Sequence, residues 1–178
     1  NPNTWGATPA PYGIPYRILY SENIENLFFA GRNVSMTHAA MSSARVMATC
    51  AVMGEAVGTA ANIAREYGLT PDGVYREKIK LLQTILTDNG CFLPLIRRDM
   101  TSARAAELSA DGEVKNIENL RNGADRNNHT YGSEDEGAFI AAGTTLKYEF
   151  APRLVENIHI AFDSDLDRVT LPGNKCER

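Results

Sequence analysis

The 178-residue sequence has few cysteines and histidines, no surplus of basic residues and no long apolar run, and each shortage removes a class of function. Cys50, Cys91 and Cys176 are odd in number and lack C-x-x-C spacing, so neither a disulfide framework nor a zinc site is implied. His38, His129 and His159 are too scattered to suggest a metal centre. The formal net charge of −4, with no Lys/Arg cluster interleaved with aromatics, argues against a nucleic-acid partner. Gly54 and Gly58 fit the GxxxG pattern of membrane helices, but Arg45 and Glu55 interrupt the apolar run well short of ~20 residues, so no membrane span is expected. Asp163, Asp165 and Asp167 suggest a calcium loop, yet Arg168 stands where that loop needs its glycine and Asn174 where it needs its glutamate. The triplets beginning at Asn33 and Asn128 fit the glycosylation pattern only at the level expected by chance.

What is present is concentrated between Asn26 and Ala61, NLFFAGRNVSMTHAAMSSARVMATCAVMGEAVGTAA. Leu27, Phe28, Phe29 and Ala30 form a short continuous apolar run, the pattern of a strand buried on both faces, and Gly31 removes the side chain where it stops. Ala44, Ala48, Ala51, Gly54, Gly58 and Ala61 then recur at steps of three or four, which puts them on one helical face with almost no bulk. Val46, Met47, Cys50, Met53, Val57 and Ile63 supply larger apolar groups around the rest, predicting a helix buried on most sides, with Cys50 a buried small hydrophobe. Ser42 or Ser43 is the expected cap at its start and Gly68 its end. A bare helical face lets a large planar cofactor approach the backbone; a tightly packed interior helix without ligand has the same spacing.

The stretch from Pro11 to Ala64 resembles the C-terminal part of the flavin domain in a family of FAD-dependent oxidoreductases. The elements that carry the resemblance are IPYR at Ile14 to Arg17, AGR at Ala30 to Arg32, THAA at Thr37 to Ala40, SARVMATC at Ser43 to Cys50 and MGEAVGTAA at Met53 to Ala61. Glu55 stands where similar sequences have glutamine. Proteins of this kind hold the FAD pyrophosphate on a G-x-G-x-x-G segment at a helix N-terminus, and no such segment occurs here. The resemblance therefore implies an internal piece of a longer protein, with the dinucleotide-binding half upstream.

Beyond this region, Thr70-Pro71 reads as the cap and first turn of an amphipathic helix that Asn89-Gly90 stops. Around Arg97 the composition shifts to Asn, Asp, Gly and Thr. Leu146, Tyr148 and Phe150 alternate with polar residues, as do Ile158, Ile160 and Phe162, which predicts two antiparallel strands of a β-sandwich. From about Ser102 the chain resembles, more loosely, the opening strands of a galactose-binding-like jelly roll. The expected fold class is thus an α+β fragment: the C-terminal portion of a Rossmann-type FAD-binding α/β domain (residues 1–97) plus a partial antiparallel, jelly-roll-like β-sandwich (residues 98–178).

The resemblance implies FAD as cofactor, with Gly31, Arg32, Asn33, Ser43, Val46 and Met47 contributing to its site. Arg32 would offer charge-assisted donors to the diphosphate, and the helix start at Ser43 to Met47 would bring N–H groups and a positive dipole end to the pyrimidine ring. His38 is the candidate for moving a proton and Arg45 for fixing an anionic or polar substrate; Ser35 and Thr37 are the other polar candidates. For His38 a hydrogen-bonded structural histidine, and for Arg45 half of an internal ion pair, are equal alternatives. Two function classes remain: part of an FAD-dependent oxidoreductase acting on a small molecule, a sugar or sugar-derived compound being suggested only by the attached sandwich, or a carbohydrate-binding or structural module without redox activity. The second has only Tyr131 and Phe139 as stacking residues. The sequence does not fix the compartment; a glycan-related role would lean toward export.

Overall fold

The computed structural model describes residues 11–125, 137–156 and 158–162. The calls on Trp5, His129, Tyr131, Cys176, the second glycosylation triplet and the acidic loop from Asp163 lie outside the described residues. The chain forms two compact units that part between Asp99 and Met100, and its described elements are helices followed by small antiparallel ladders, an α+β arrangement.

In the first unit a 3-10 turn, Tyr16–Ile18, precedes helices α1 (His38–Ala44), α2 (Met47–Tyr67) and α3 (Pro71–Asp88). The ends of α2 and α3 follow from local chemistry. Gly68 takes φ of 63°, which only glycine adopts freely, and the Leu69 N–H closes on the Ala64 carbonyl at 2.8 Å. Thr70 Oγ1 accepts the Gly73 N–H at 3.1 Å, and Pro71 fills the first helical position where no N–H is needed. At the other end of α3 the Gly90 and Cys91 N–H groups donate to Thr87 and Leu86 carbonyls at 3.0 and 2.9 Å. Arg98 adds a cation there, donating to the Thr87 carbonyl and reaching the Asp88 carboxylate at 2.7 Å.

The core lies between α2 and α3, where Met53, Ala60 and Ile63 meet Val74, Leu82 and Leu86, with Tyr16, Leu19, Val34 and Cys91 completing the cluster. Met53, Ile63 and Val74 are fully buried, each contributing about 1.5–3 kcal/mol on the transfer scale. Tyr16 stitches the 3-10 turn to the start of α3: its hydroxyl donates to the Pro71 carbonyl at 3.0 Å and its ring stacks on Tyr75 at 6.1 Å. Beside it, Tyr20 donates to Asp72, which also holds Arg76 at 2.6 Å.

The helical region departs from expectation in two ways. The Leu27–Ala30 run is not a strand buried on both faces but a half-buried segment with one antiparallel bridge, Tyr20 to Phe28. The small-residue helix starts at neither Ser42 nor Ser43. Thr37 caps α1, and the chain turns by 95° at Arg45–Val46 before α2 begins. Among the described residues no single helix is long and apolar enough to cross a membrane; α1 and α2 pass that measure only as a bent pair.

In the second unit, α4 (Thr101–Arg104) precedes strands β1 (Glu107–Ala110), β2 (Val114–Lys115), β3 (Phe139–Ile140) and β4 (Leu146–Glu149). β1 pairs with β4, Ala110 opposite Leu146, and β2 with β3, Val114 opposite Ile140, both antiparallel. Between the two ladders the Asp111 and Thr145 backbones are joined, and the Thr145 N–H also donates to Asp111 Oδ1 at 2.6 Å. That backbone donor holds the Asp111 carboxyl below its ordinary range. The alternation at Leu146 and Tyr148 is that of a strand, but its partner is β1; residues 158–162, expected to pair with it, carry no strand and are exposed.

Two outcomes test this fold. Burial, and then the charges of Tyr20 and Asp72, raise the Tyr16 pKa above the ordinary phenol value. The folded protein thus holds that proton more tightly than the unfolded chain, whose tyrosines titrate near ~10. The resulting stability is complete below about pH 10 and is lost as pH rises toward the folded value. Tyr16→Phe should flatten this alkaline decline in urea midpoints and cost about 1 kcal/mol at neutral pH through the lost hydrogen bond. A Cβ on Gly112 would stand 2.2 Å from Thr144 Oγ1, so Gly112→Ala should lower the thermal midpoint of the ribbon by an overpacking cost of about 1–3 kcal/mol, and Thr144→Ala should restore part of it.

Candidate functional site

The site grows from a turn. The Phe29 N–H donates to the Leu19 carbonyl at 2.8 Å, pinning the apolar run to the 3-10 turn, and the chain then reaches Gly31 at φ of +91°. The Val34 N–H returns to the Gly31 carbonyl at 3.4 Å, and Val34 is buried in the core. Arg32 and Asn33 are thereby left exposed at the tip. A residue other than glycine at φ of +91° is strained, which explains why the turn begins where it does.

From this turn the chain enters α1. Thr37 Oγ1 accepts the Ala40 N–H at 3.3 Å, Ser43 Oγ donates to the Ala40 carbonyl, and the Arg45 N–H closes the last turn on Met41. Val46 is extended and serves as N-cap of α2 without a side-chain hydrogen bond. The first N–H groups of that helix, from Met47 onward, have no intrahelical partner and sit at the positive end of a 21-residue dipole. Cys50 is where these pieces meet. A Cβ on Gly31 would lie 3.9 Å from Cys50 Sγ, and that sulfur lies 3.9 Å from the Ala44 carbonyl oxygen.

The residues expected to meet a cofactor therefore fall in two groups. Gly31, with Arg32 and Asn33 beside it, and Val46 and Met47 converge around Cys50; Ser43 adjoins the joint, with its hydroxyl spent on α1 itself. His38 and Arg45 occupy opposite ends of α1. Spaced seven residues apart they share one side of it, about 10 Å apart along the axis. Both are exposed, as are Ser35 and Thr37, the latter engaged as a cap. Sequence reasoning gave Cys50 no role at the joint; its place four residues after Val46, in the first turn of α2, was the available signal.

The small-residue face of α2 is bare. Ala48, Ala51, Gly54, Gly58 and Ala61 are exposed, and no atom lies within 4 Å of a Cβ added at Gly54 or Gly58. This corrects the expectation of a helix buried on most sides: Met47 is 90% exposed and Val46 52%, while Met53, Ala60 and Ile63 are buried in the core, with Ala56, Val57 and Ala64 partly buried against it. Cys50 is likewise half-buried, not fully buried. A glycine turn, uncapped N–H groups and a helix face without side-chain bulk fit a flat, anionic cofactor such as FAD.

Among the described residues of the second unit there is no comparable feature. A shallow cavity of about 290 Å³ is lined by Arg104, Glu118, Arg121 and Asn122. Its guanidinium groups are already engaged: Arg121 pairs with both Glu118 oxygens at 2.7 Å and donates to the Ala106 carbonyl, while Arg104 donates to the Arg121 and Asn122 carbonyls. Phe139 is exposed on β3, with no second aromatic in contact among the described residues. A sugar platform gains no support here. Among the described residues, no three His, Cys, Asp or Glu side chains gather to hold a metal.

Residues 1–86, the segment that contains this site, match the family model described as FAD dependent oxidoreductase, a similarity that points to FAD as the cofactor. No curated protein and no solved structure matches the chain.

The bare face makes a stability prediction of its own. In this chain alone, Gly54→Ala and Gly58→Ala should each stabilise α2 by up to about 1 kcal/mol, since helix propensity improves and nothing is displaced. A loss of stability in chemical denaturation would mean that the face is covered.

Proposed function

We propose that this chain forms one wall of the flavin and substrate site of an FAD-dependent oxidoreductase, as the C-terminal portion of a Rossmann-type domain whose dinucleotide-binding half lies upstream in the same protein. The observation that carries the reading is the convergence of the Gly31 turn and the start of α2 beside a helix face without side chains. In this reading Arg32, at the tip of the turn, donates to the diphosphate, and the N–H groups at Val46 and Met47 face the pyrimidine ring, where they stabilise negative charge. When bound, the flavin would supply the redox chemistry. Arg45 fixes an anionic or polar group of the substrate, and His38, on the same side of α1, moves or orients a proton. The β ribbon is an attached module, with a jelly-roll sandwich and a sugar-derived substrate as its furthest extension.

The first test is an absorption spectrum of the full-length protein beside that of residues 1–178. Flavin bands in the former and none in the latter are expected; no flavin in either after incubation with FAD contradicts the proposal. In the flavin-loaded protein, His38→Ala should lower kcat by about 10²-fold or more with the flavin content unchanged. Wild-type turnover would remove His38 from the mechanism.

A further inference from the structure

We infer that the substrate of this site carries a carboxylate, held by Arg45, and is not a neutral sugar. The inference rests on the flavin reading above and names the chemistry that the substrate must bring. It starts from a contrast among the arginines of the first unit. Arg17 lies over the Tyr75 ring at 5.6 Å, Arg65 donates to Asn62 at 3.4 Å, Arg76 pairs with Asp72 at 2.6 Å and Arg98 with Asp88 at 2.7 Å, and Arg97 is engaged as well. Exposure does not forbid such partners, since the Arg76 side chain is 74% exposed and still paired. Arg32 and Arg45 differ: both are exposed, and among the described residues neither guanidinium has a hydrogen bond, an ion pair or a ring contact. From Asn26 to Gly54 the chain holds no Asp or Glu that could neutralise them, in a protein whose formal net charge is −4.

The fold brings both cations to one elbow. A Cβ added at Gly31 would lie 3.9 Å from the Cys50 side chain, whose sulfur is 3.9 Å from the Ala44 carbonyl oxygen. Arg32 and Arg45, the next residues along the chain, thus flank the joint between α1 and α2. Charge then separates their roles. With Arg32 taken by the FAD diphosphate, one guanidinium is left for the substrate. When flavin and substrate close over Arg45 it loses water, and a cation that loses water without a counter-ion is costly. Sugar hydroxyls supply hydrogen bonds but no charge. A carboxylate supplies both, through two parallel N–H···O bonds and one negative charge against one positive. A phosphate dianion would bring a second charge, for which the segment from Asn26 to Gly54 holds no further arginine or lysine.

The test titrates the flavin-loaded full-length protein with acetate, with acetamide and with inorganic phosphate, reading the flavin absorption bands and the thermal midpoint. Acetate and acetamide share a shape and differ in charge. Acetate should bind in about the millimolar range of a single charge-assisted pair, and acetamide and phosphate at least about tenfold more weakly. Arg45→Gln should weaken acetate at least about tenfold with FAD affinity within about threefold of wild type, and Arg45→Lys should restore part of the loss. Arg32→Gln should weaken FAD instead. Acetamide or phosphate binding as tightly as acetate, no response to acetate in either readout, or unchanged acetate affinity in Arg45→Gln overturns the inference and leaves the flavin reading standing. A wild-type protein that takes up no FAD overturns the flavin reading itself, and this inference with it.

Discussion

Helix α2 is built with two unlike faces, and the architecture of the first unit follows from which one is used. Met53, Ala60 and Ile63 are sealed against α3, while Ala48, Ala51, Gly54, Gly58 and Ala61 stay open. Burying the bulky stripe holds the helix in place without any contribution from the other side. The three fully buried side chains alone, Met53, Ile63 and Val74, outweigh the roughly 1 kcal/mol that each glycine in α2 costs in helix propensity. A soluble helix can tolerate such glycines on an open face, but it gains nothing from them. In the proposed site, that open face lets something flat come close to the backbone.

The rest of the first unit brings a second element to the same place. The tyrosine cluster around Tyr16 ties the 3-10 turn to the start of α3, and the Phe29–Leu19 bond ties the apolar run to that turn. The chain is thus delivered to Gly31 near the first turn of α2, where a Cβ added to the glycine would lie 3.9 Å from the Cys50 side chain. Fold and candidate site depend on the same contacts, so the site needs no stabilising interactions of its own. His38, Arg32 and Arg45 are free to face solvent because none of them holds the core together.

What could be read from the sequence was what local chemistry decides. Thr70-Pro71 and Asn89-Gly90 bound α3 because caps act within one helical turn, and Gly68 ends α2 for the same reason. The break at Arg45–Val46 could not be seen, since neither glycine nor proline marks it and Ser42 and Ser43 imitate a cap. Which side of α2 would be covered was also hidden, because spacing gives the stripes but not the partner. In the second unit the alternation at Leu146 and Tyr148 identified a strand, but its partner β1 lies far back in the chain, and pairing over such a distance leaves no periodic trace. The same alternation at Ile158, Ile160 and Phe162 produced no strand. The candidate site could be marked out in the sequence as a region, from AGR to MGEAVGTAA, and not as a geometry.

The most direct measurement is a crystal structure of the full-length protein with flavin bound. The account predicts the isoalloxazine ring against the start of α2, within van der Waals contact of the Met47 backbone, with the Gly31 turn at the diphosphate or ribityl chain and the Ala48–Ala61 face covered by cofactor or by the dinucleotide-binding half. A flavin bound elsewhere, with the Gly31 turn and the start of α2 left in solvent, would contradict it.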